Sequence, residues 1–244
     1  MMRMKLSIVI PAFNEEKRLA ACIRSAKAAL AACGLDPETV ELIVCDNNST
    51  DATPRIARQE GAKSVFEPHN QISRARNAGA REATGDWFLF IDADSLLHPE
   101  TLREALDAME NGRLAGGGCV IAFDDIPLHW RPVVTAWNLI SRTLLWAAGS
   151  FVFCRADAFR ETGGFPEELY AGEEIRLSQA LKAWGRTRGL GFAILSRRAH
   201  LSSGRKAHLY GPAEFLSMLR VALRSPSKAL RSRDGLDIFY DGRR

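Results

Sequence analysis

The sequence of 244 residues lacks the glycine signatures of common nucleotide-binding loops and hydrolase sites. Its first apolar, β-branched segment, residues 6–11, is followed by Ala12, Phe13, Asn14 and Glu15 rather than by G-x-G-x-x-G or a Walker lysine. No G-x-S-x-G pattern occurs anywhere in the chain. Dinucleotide-binding, P-loop and α/β-hydrolase sites of the usual kind are therefore disfavoured.

The chain also lacks paired cysteines and an uninterrupted apolar segment. Its five cysteines are scattered without C-x-x-C spacing, which disfavours structural zinc and favours a reducing compartment. The longest apolar stretch, residues 133–153, contains Arg142, so it is predicted to be buried or interfacial rather than membrane-spanning. We expect a cytoplasmic protein, with peripheral attachment to the inner face of the membrane as an option.

Charge is distributed unevenly along the chain. The net charge is +4, yet residues 197–244 hold eleven Lys/Arg against four Asp/Glu, so the preceding part is slightly acidic. A basic C-terminal extension, residues 205–244, indicates an anionic partner such as phosphate, nucleic acid or acidic lipid. A merely solvated basic segment is the alternative.

Strand and helix signals alternate through the first half, which predicts an α/β fold with a mostly parallel, Rossmann-like sheet flanked by helices. We expect one domain, residues 1–204, with a nucleotide-binding half (1–115) and an acceptor-binding half (116–204). In such sheets ligands bind beyond the carboxyl ends of the strands. The predicted strands are 6–11, 40–46, 62–67, 87–91, 119–123, 150–155 and 189–196, and the predicted helices are 15–32, 53–60, 73–84, 99–109, 130–146 and 173–184.

Acidic residues follow two of these strands. Asp92 and Asp94 flank Ala93 directly after a hydrophobic strand, where alternation would place both carboxylates on one side. Such a pair suits Mg²⁺ or Mn²⁺ shared with substrate phosphates, although helix capping is an alternative. Asp46, at the end of another strand, could accept from a base or ribose, or could simply cap a turn.

Two helix starts carry further candidates. Arg76 and its neighbour Arg74 would attract phosphate near a helix N-terminus, unless both are plain surface arginines. Glu173 and Glu174 begin another helix, where the macrodipole favours acids in any case. Beside a phosphate and a metal, one of them could be a general base.

Together these segments resemble the family 2 glycosyltransferases, which have the GT-A fold. The resemblance covers about residues 5–196, and each motif is weak alone but specific in this order and spacing. The matching segments are residues 7–16, 46–51, 76–79, 92–94, 163–165 and 172–177. Glu174 departs from the family's usual Asp at the second acidic position, which leaves the roles of Glu173 and Glu174 interchangeable.

The resemblance implies a role for each matching position. Glu174 would be the catalytic base, and Glu173 would position the acceptor. Asp92 and Asp94 would bind ribose and metal, and His200 is the candidate for a further metal ligand, with core packing as its alternative. The nucleotide-sugar would be bordered by Pro11, Ala12, Asn14, Glu15, Asp46, Arg76, Asp92, Ala93 and Asp94, and by Arg197 and Arg198 in a flexible basic loop, continuing to Arg205 and Lys206, that closes over the diphosphate.

The implied reaction is inverting transfer of a sugar from a nucleotide-diphosphate donor, UDP- or GDP-linked, to a hydroxyl of a glycan, lipid or small molecule. Mg²⁺ or Mn²⁺ would be the cofactor, and nucleic acid drops out as the anionic partner. Trp130, Trp137 and Trp146 could stack on an acceptor or contact an anionic membrane, or belong to the core. The alternatives are a non-catalytic protein that binds nucleotide-sugar or glycan, and a nucleotidyltransferase, which the lack of a basic glycine-rich loop disfavours.

Overall fold

The computed structural model describes residues 4–205, so the basic residues from Lys206 onward lie outside the described part of the chain. Seven strands and seven α-helices form this range, and they alternate except that α6 and α7 both lie between β6 and β7. The strands are β1 Leu6–Ala12, β2 Val40–Asp46, β3 Lys63–Phe66, β4 Trp87–Ile91, β5 Leu114–Phe123, β6 Phe151–Arg155 and β7 Gly191–Ser202. The helices are α1 Leu19–Ala32, α2 Thr53–Gln59, α3 Ile72–Arg81, α4 Pro99–Glu110, α5 Arg131–Leu144, α6 Ala156–Glu161 and α7 Glu173–Arg186.

All seven strands form one sheet in the order β3-β2-β1-β4-β6-β5-β7. Strand β6 runs antiparallel to both of its neighbours, and every other pairing is parallel. The carboxyl ends of six strands and the amino end of β6 therefore meet at one edge of the sheet. The predicted mostly parallel α/β fold is confirmed, and both predicted halves of the chain contribute strands to the same sheet.

The central strand β4 shows why the sheet needs helices on both faces. All five of its residues are buried, and they alternate between two apolar clusters. Trp87, Leu89 and Ile91 pack in the cluster that includes α1 and α4. Phe88 and Phe90 pack in the opposite cluster, with residues of α6 and α7.

Helix α3 lies unusually close to the sheet because of one glycine. A Cβ on Gly79 would overlap the Val9 side chain of β1. The glycine thus lets the helix settle against β1 and β2. Arg76 lies one helical turn before Gly79 in α3 and is therefore also held close to the sheet. Its side chain is 1% exposed.

Two predicted boundaries differ from the structure because backbone groups are used elsewhere. Helix α1 begins at Leu19 rather than at Glu15, and the amides of Glu15 and Glu16 donate to Thr53 at the start of α2 and to Asp51 just before it. The glycine run 116–118, predicted to precede a strand, lies inside β5. There Gly116 approaches the backbone of Phe153 so closely that a Cβ would meet its carbonyl oxygen at 2.6 Å.

Strand β7 is longer than predicted. It continues past Ser196 to Ser202, because its second half pairs with Ile121–Phe123 of β5 beyond a register shift. Arg197 and Arg198 are therefore strand residues, and the prediction of a flexible basic loop at these positions is wrong.

Between β5 and β6 the chain leaves the sheet and forms α5, which packs beside β5. Asn138 of α5 anchors the helix, since its side-chain amide both donates to and accepts from the backbone of Ile121. Ser141 is the only buried residue of this helix. Among residues 4–205 no helix combines the length and apolar character needed to cross a bilayer.

Candidate active site

The loops after β1 and β2 form one rim of the sheet edge, cross-linked by short side chains. Asn14 has a left-handed conformation (φ 53°). Its backbone N–H donates to Ser49 Oγ (2.9 Å), and its side-chain Oδ1 accepts from the Thr50 backbone N–H (2.8 Å). The Glu15 amide donates to Thr53 Oγ1 at 2.7 Å. These contacts fix the backbone that follows Pro11 and Ala12, the two residues that close β1.

Asp46, predicted to hold a base, is buried at the end of β2 in this rim. Its Oδ1 accepts from the Ser49 amide at 3.0 Å, so one oxygen caps the turn as the capping alternative anticipated. Asp51 caps the next turn through the Thr53 amide at 2.9 Å. The neighbouring Asn47 side chain donates to the carbonyls of Glu67 and His69, which ties β3 to the same rim.

Arg76 is the centre of a buried ion-pair cluster below the sheet edge. Its Nη1 donates to Glu173 Oε1 at 2.8 Å, and its Nη2 donates to Asp92 Oδ1 at 3.0 Å. Nη2 also donates to the carbonyl of Gly149, just before β6, at 2.9 Å. Burial alone would lower the pKa of Arg76, but the charges of Asp92, Glu173 and Glu174 raise it above its usual value. Arg76 therefore stays charged and joins α3, β4, α7 and the β6 loop at one point.

Glu174 lies beside this cluster, and its carboxyl group has a raised pKa. Its carboxyl carbon would lie 3.7 Å from a Cβ on Gly149, and the residue is partly exposed. Burial of the carboxyl group and the charge of Glu173 raise the pKa of Glu174 from 4.5 to about 8, against the opposing charge of Arg76. The pKa of the Glu174 carboxyl group is thus raised above its usual value, while Glu173 is held by Arg76.

Hydrogen bonds of Ser178 connect the first turn of α7 to the loop before β6. Ser178 Oγ donates to the Glu174 carbonyl at 2.7 Å and accepts from the Ala147 amide at 3.0 Å. Gly172, which precedes the helix, has a left-handed conformation (φ 73°) that suits glycine. The loop before β6 and the first turn of α7 are therefore fixed to each other.

A second arginine, Arg205, forms ion pairs with the carboxylates of Glu15 and Asp94. Its Nη2 lies 3.0 Å from Glu15 Oε1 and 3.3 Å from Asp94 Oδ2. The side chain is 17% exposed, against 1% for Arg76. Burial lowers the pKa of Arg205, but the hydrogen bond and charge of Glu15 and the charge of Asp94 raise it overall.

Asp92 and Asp94 thus pair with two different arginines, Arg76 and Arg205. The chain leaves the extended conformation after Ile91, and the Ser95 amide bonds back to the Asp92 carbonyl at 3.0 Å. Ala93, between them, is buried. The turn directs one carboxylate to Arg76 and the other to Arg205.

His200, the third predicted metal ligand, lies buried in β7. Its ring packs against Phe151 with centroids 5.0 Å apart, and neither ring nitrogen has a hydrogen-bond partner. Burial lowers the pKa of His200 to about 4, although the charge of Asp92 opposes this, so the ring is neutral. Within residues 4–205 no three His, Cys, Asp or Glu side chains are grouped as metal ligands, so His200 is not joined to Asp92 and Asp94.

Arg197 and Arg198 are directed at helix α4 rather than at the carboxylates of the sheet edge. Arg198 pairs with Glu100 at 3.1 Å, and Arg197 lies 3.8 Å from Asp107. Their predicted place at a donor diphosphate is not supported by these contacts. Of the four basic residues predicted to follow the last strand, Arg205 does reach the site, and Lys206 lies outside the described residues.

Two contributors, Gly149 and Ser178, were not assigned a site role from the sequence, and Glu15 was assigned one without its ion pair. Gly149 receives Arg76 through its backbone carbonyl, Ser178 braces Glu174, and Glu15 shares a cation with Asp94. Backbone acceptors and braces leave no sequence signal. Glu15 was recognised only as a neighbour of the nucleotide, and its pairing with Arg205 spans 190 residues of sequence.

The arrangement matches known proteins in sequence and in fold. The model of the glycosyl transferase family 2 matches residues 7–162. An uncharacterized glycosyltransferase of Mycobacterium bovis is 30% identical over 145 residues, which cover 56% of this chain and 60% of that protein. The chain thus spans about three fifths of the length of this relative.

Two solved structures share the fold. One is the Mycobacterium tuberculosis glucosyl-3-phosphoglycerate synthase in complex with Mn²⁺, UDP and glucosyl-3-phosphoglycerate (TM-score 0.63, 21% identity, 94% of this chain and 81% of that one). The other is the Pyrobaculum calidifontis mannosyltransferase in complex with GDP-Man and Mn²⁺ (TM-score 0.63, 20% identity, 83% of this chain and 58% of that one).

The seven-stranded sheet with its acidic edge is therefore a GT-A fold. The chain belongs to the family 2 glycosyltransferases.

Proposed function

We propose that this chain transfers a sugar from a nucleotide-diphosphate donor to an acceptor hydroxyl, with inversion at the anomeric carbon. The observation that carries the proposal is Glu174, a carboxyl group with a pKa near 8 at the same sheet edge as Asp92 and Asp94. A group that titrates near working pH can accept a proton efficiently during attack. Inversion follows if this base activates the acceptor for a single direct displacement.

Of the two adjacent glutamates, Glu174 is the better base. Glu173 is bound to Arg76 at 2.8 Å, and taking up a proton there would break a buried ion pair. Glu174 has no such cation on its carboxylate, and the charge of Glu173 raises its proton affinity. Glu173 thus serves as a positioning residue, and Arg76 holds it in place.

The residues of this edge fit a divalent cation. Asp94 and Glu15 already share the positive charge of Arg205, so their position suits a cation held by hard carboxylate oxygens. Asp94 would be the main protein ligand, and Asp92 and His200 remain the further candidates proposed from the sequence. When bound, Mg²⁺ or Mn²⁺ would stabilise charge that develops on the leaving diphosphate.

The donor is bordered by the fixed rim of Asn14, Glu15 and Asp46, with Pro11, Ala12 and Ala93 beneath it. Arg205 is the cation placed to meet the diphosphate, because it sits at the edge and is only partly buried. A diphosphate and the two carboxylates compete for this guanidinium. The UDP and GDP-Man held by the two solved structures make UDP- and GDP-sugars the first donors to test.

The decisive experiment compares Glu174→Gln with wild type. A thermal-shift screen of UDP- and GDP-sugars with Mn²⁺ identifies the donor, and release of nucleoside diphosphate then reports turnover, with water as acceptor if none is known. We expect Glu174→Gln to bind donor normally and to lose turnover by about 10²- to 10⁴-fold. Glu110→Gln, an exposed change at the end of α4, is the matched control.

Full turnover in Glu174→Gln would place the base elsewhere. Donor binding without turnover in wild type would favour the alternative of a non-catalytic nucleotide-sugar-binding protein.

A further inference from the structure

Exposed large apolar side chains are concentrated in one segment of the molecule. Five of the seven in the described residues lie between positions 128 and 144, on α5 and the short turn before it. We call these residues the α5 surface: Leu128, Val133, Leu139, Ile140 and Leu144. Leu128 is 74% exposed and Leu139 is 63% exposed. Apolar residues gathered in this way mark a contact surface rather than scattered surface side chains.

The sequence around α5 carries charge of one sign. No Asp or Glu occurs between Asp125 and Asp157, whereas Arg131 and Arg142 lie on α5 itself and are exposed. A helix with an apolar side and only positive charges is matched by a partner that is both apolar and anionic.

A cationic cavity adjoins the C-terminal end of α5. It has a volume of about 410 Å³ and is lined by Leu145, Lys182, Arg186, Leu190 and Phe192 among others. Lys182 Nζ donates to the carbonyl of Leu144, which ties the cavity to the last turn of α5. Neither Lys182 nor Arg186 has a described carboxylate within 4 Å, and burial together with the charge of Arg186 lowers the pKa of Lys182. These two cations are therefore available to an anionic group.

From these features we infer that the α5 surface and the cavity beside it dock on an anionic lipid bilayer, with the apolar side chains inserted and a headgroup phosphate at Lys182 and Arg186. The exposed side chains lie along a helix and the turn before it, an arrangement that suits insertion into the interface of a bilayer. A second copy of the chain, docked through the same face about a two-fold axis, would bring like charges together. Residues 206–244 hold eight Lys/Arg against four Asp/Glu, so they too match this surface poorly in charge.

This inference refines the membrane contact expected from Trp130, Trp137 and Trp146. All three tryptophans are only partly exposed, and the protruding side chains are leucines, a valine and an isoleucine. The docking surface does not depend on the transfer reaction, so it is tested without substrate.

The experiment measures binding of the full chain to vesicles of phosphatidylcholine alone, or of phosphatidylcholine and phosphatidylglycerol in equal parts, by sedimentation. We expect binding to the anionic vesicles to be at least about tenfold stronger. Leu128→Glu with Leu139→Glu should reduce it by about tenfold or more, since it removes inserted leucines and adds repelled charges. Lys182→Gln with Arg186→Gln should reduce it about tenfold and weaken its dependence on salt.

The matched control is Phe66→Glu, which makes the same kind of change at a 60% exposed residue on β3, at the opposite edge of the sheet. It should bind vesicles as wild type does, and unchanged thermal unfolding should show that each variant is folded. Equal binding by Leu128→Glu/Leu139→Glu and wild type would overturn the inference in favour of attachment through the basic C-terminal residues. A concentration-dependent dimer that this variant abolishes, with no vesicle binding, would overturn it in favour of a second copy.

Discussion

Arg76 and Arg205 at the sheet edge each form ion pairs with two carboxylates, but they differ in how deeply they are buried. Arg76 joins Asp92 to Glu173 and is almost completely buried, whereas Arg205 joins Asp94 to Glu15 and remains partly exposed. Arg76 also binds a backbone carbonyl and belongs to a helix pressed against the sheet. The difference indicates that one cluster holds the framework of the site, and that the other can open to exchange its cation.

The largest effect expected from this comparison concerns stability. Arg76→Met would leave the buried carboxylate of Glu173 without its cation, together with Asp92, and should lower the free energy of unfolding by about 3–5 kcal/mol. Arg205→Met should cost only about 1–2 kcal/mol, because Glu15 and Asp94 can regain water at the edge. Urea unfolding of both variants measures the difference. Equal losses would remove the distinction between the two clusters.

The next effect is the pH dependence on the Arg76 side. Because its pKa is raised to about 8, Glu174 is mostly protonated at pH 6, so kcat/KM should rise by at least about tenfold between pH 6 and pH 8. Glu173→Gln removes a charge that raises this pKa, so the rise should move to lower pH. An unshifted profile in Glu173→Gln would mean that another group controls the rate.

The same pKa makes a prediction for stability with the opposite sign. Because folded Glu174 keeps its proton up to about pH 8 while the unfolded chain releases it near 4.5, the free energy of unfolding contributed by this group falls as pH rises between these values. Glu174→Gln should therefore be more stable than wild type above pH 8 and gain little below pH 4.5. Thermal unfolding across this range measures the gain.

A smaller effect, with opposite signs for two ligands, is expected at Arg205. Arg205→Met removes one cation that competes for Asp94, so the nucleotide-free chain should bind Mn²⁺ several-fold more tightly by calorimetry. The same change removes a charge-assisted contact to diphosphate, so UDP or GDP should bind about tenfold more weakly. Arg198→Met, which breaks an exposed pair with Glu100, should alter neither affinity. Weaker Mn²⁺ binding in Arg205→Met would contradict competition for Asp94.

The smallest effect concerns the fit around Gly149. A Cβ at this position would lie 3.1 Å from Arg76 Nη2, so Gly149→Ala should shift the guanidinium by a few tenths of an ångström. We expect a few-fold loss of turnover with little change in donor affinity, because the change displaces the neighbours of Glu174 and leaves the nucleotide rim intact. Steady-state kinetics separate the two, and a loss confined to KM would point to the donor side instead.

Much of the fold follows from local pattern. The first four strands and their helices alternate in the sequence, and the fully apolar β4 could only be a strand buried on both faces. The direction of β6 could not be predicted, because pairing with β4 and β5 in antiparallel register depends on contacts between distant segments. The same is true of β7 beyond Ser196, which is a strand only because β5 is long enough to pair with it.

The site was predictable in composition but not in pairing. Acids at strand ends had to meet at one edge, and Asp92, Asp94 and Glu174 do lie there. The sequence does not indicate which arginine neutralises which acid, since Arg76 and Glu173 are 97 positions apart and Arg205 and Glu15 are 190 apart. The position of Arg76 near a helix N-terminus indicated a phosphate-attracting role. Its role as the buried link between the end of β4 and α7 could be identified only from the three-dimensional structure.

The excursion between β5 and β6 bears on how proteins of this kind diverge. Its flanking residues Gly118 and Val152 are paired in neighbouring strands, so the two ends of residues 119–151 are close together. The entropy of closing such an excursion grows only slowly with its length. This part of the chain can therefore be lengthened, shortened or replaced at a small entropic cost, while the sheet edge that carries Asp92 and Asp94 stays in place.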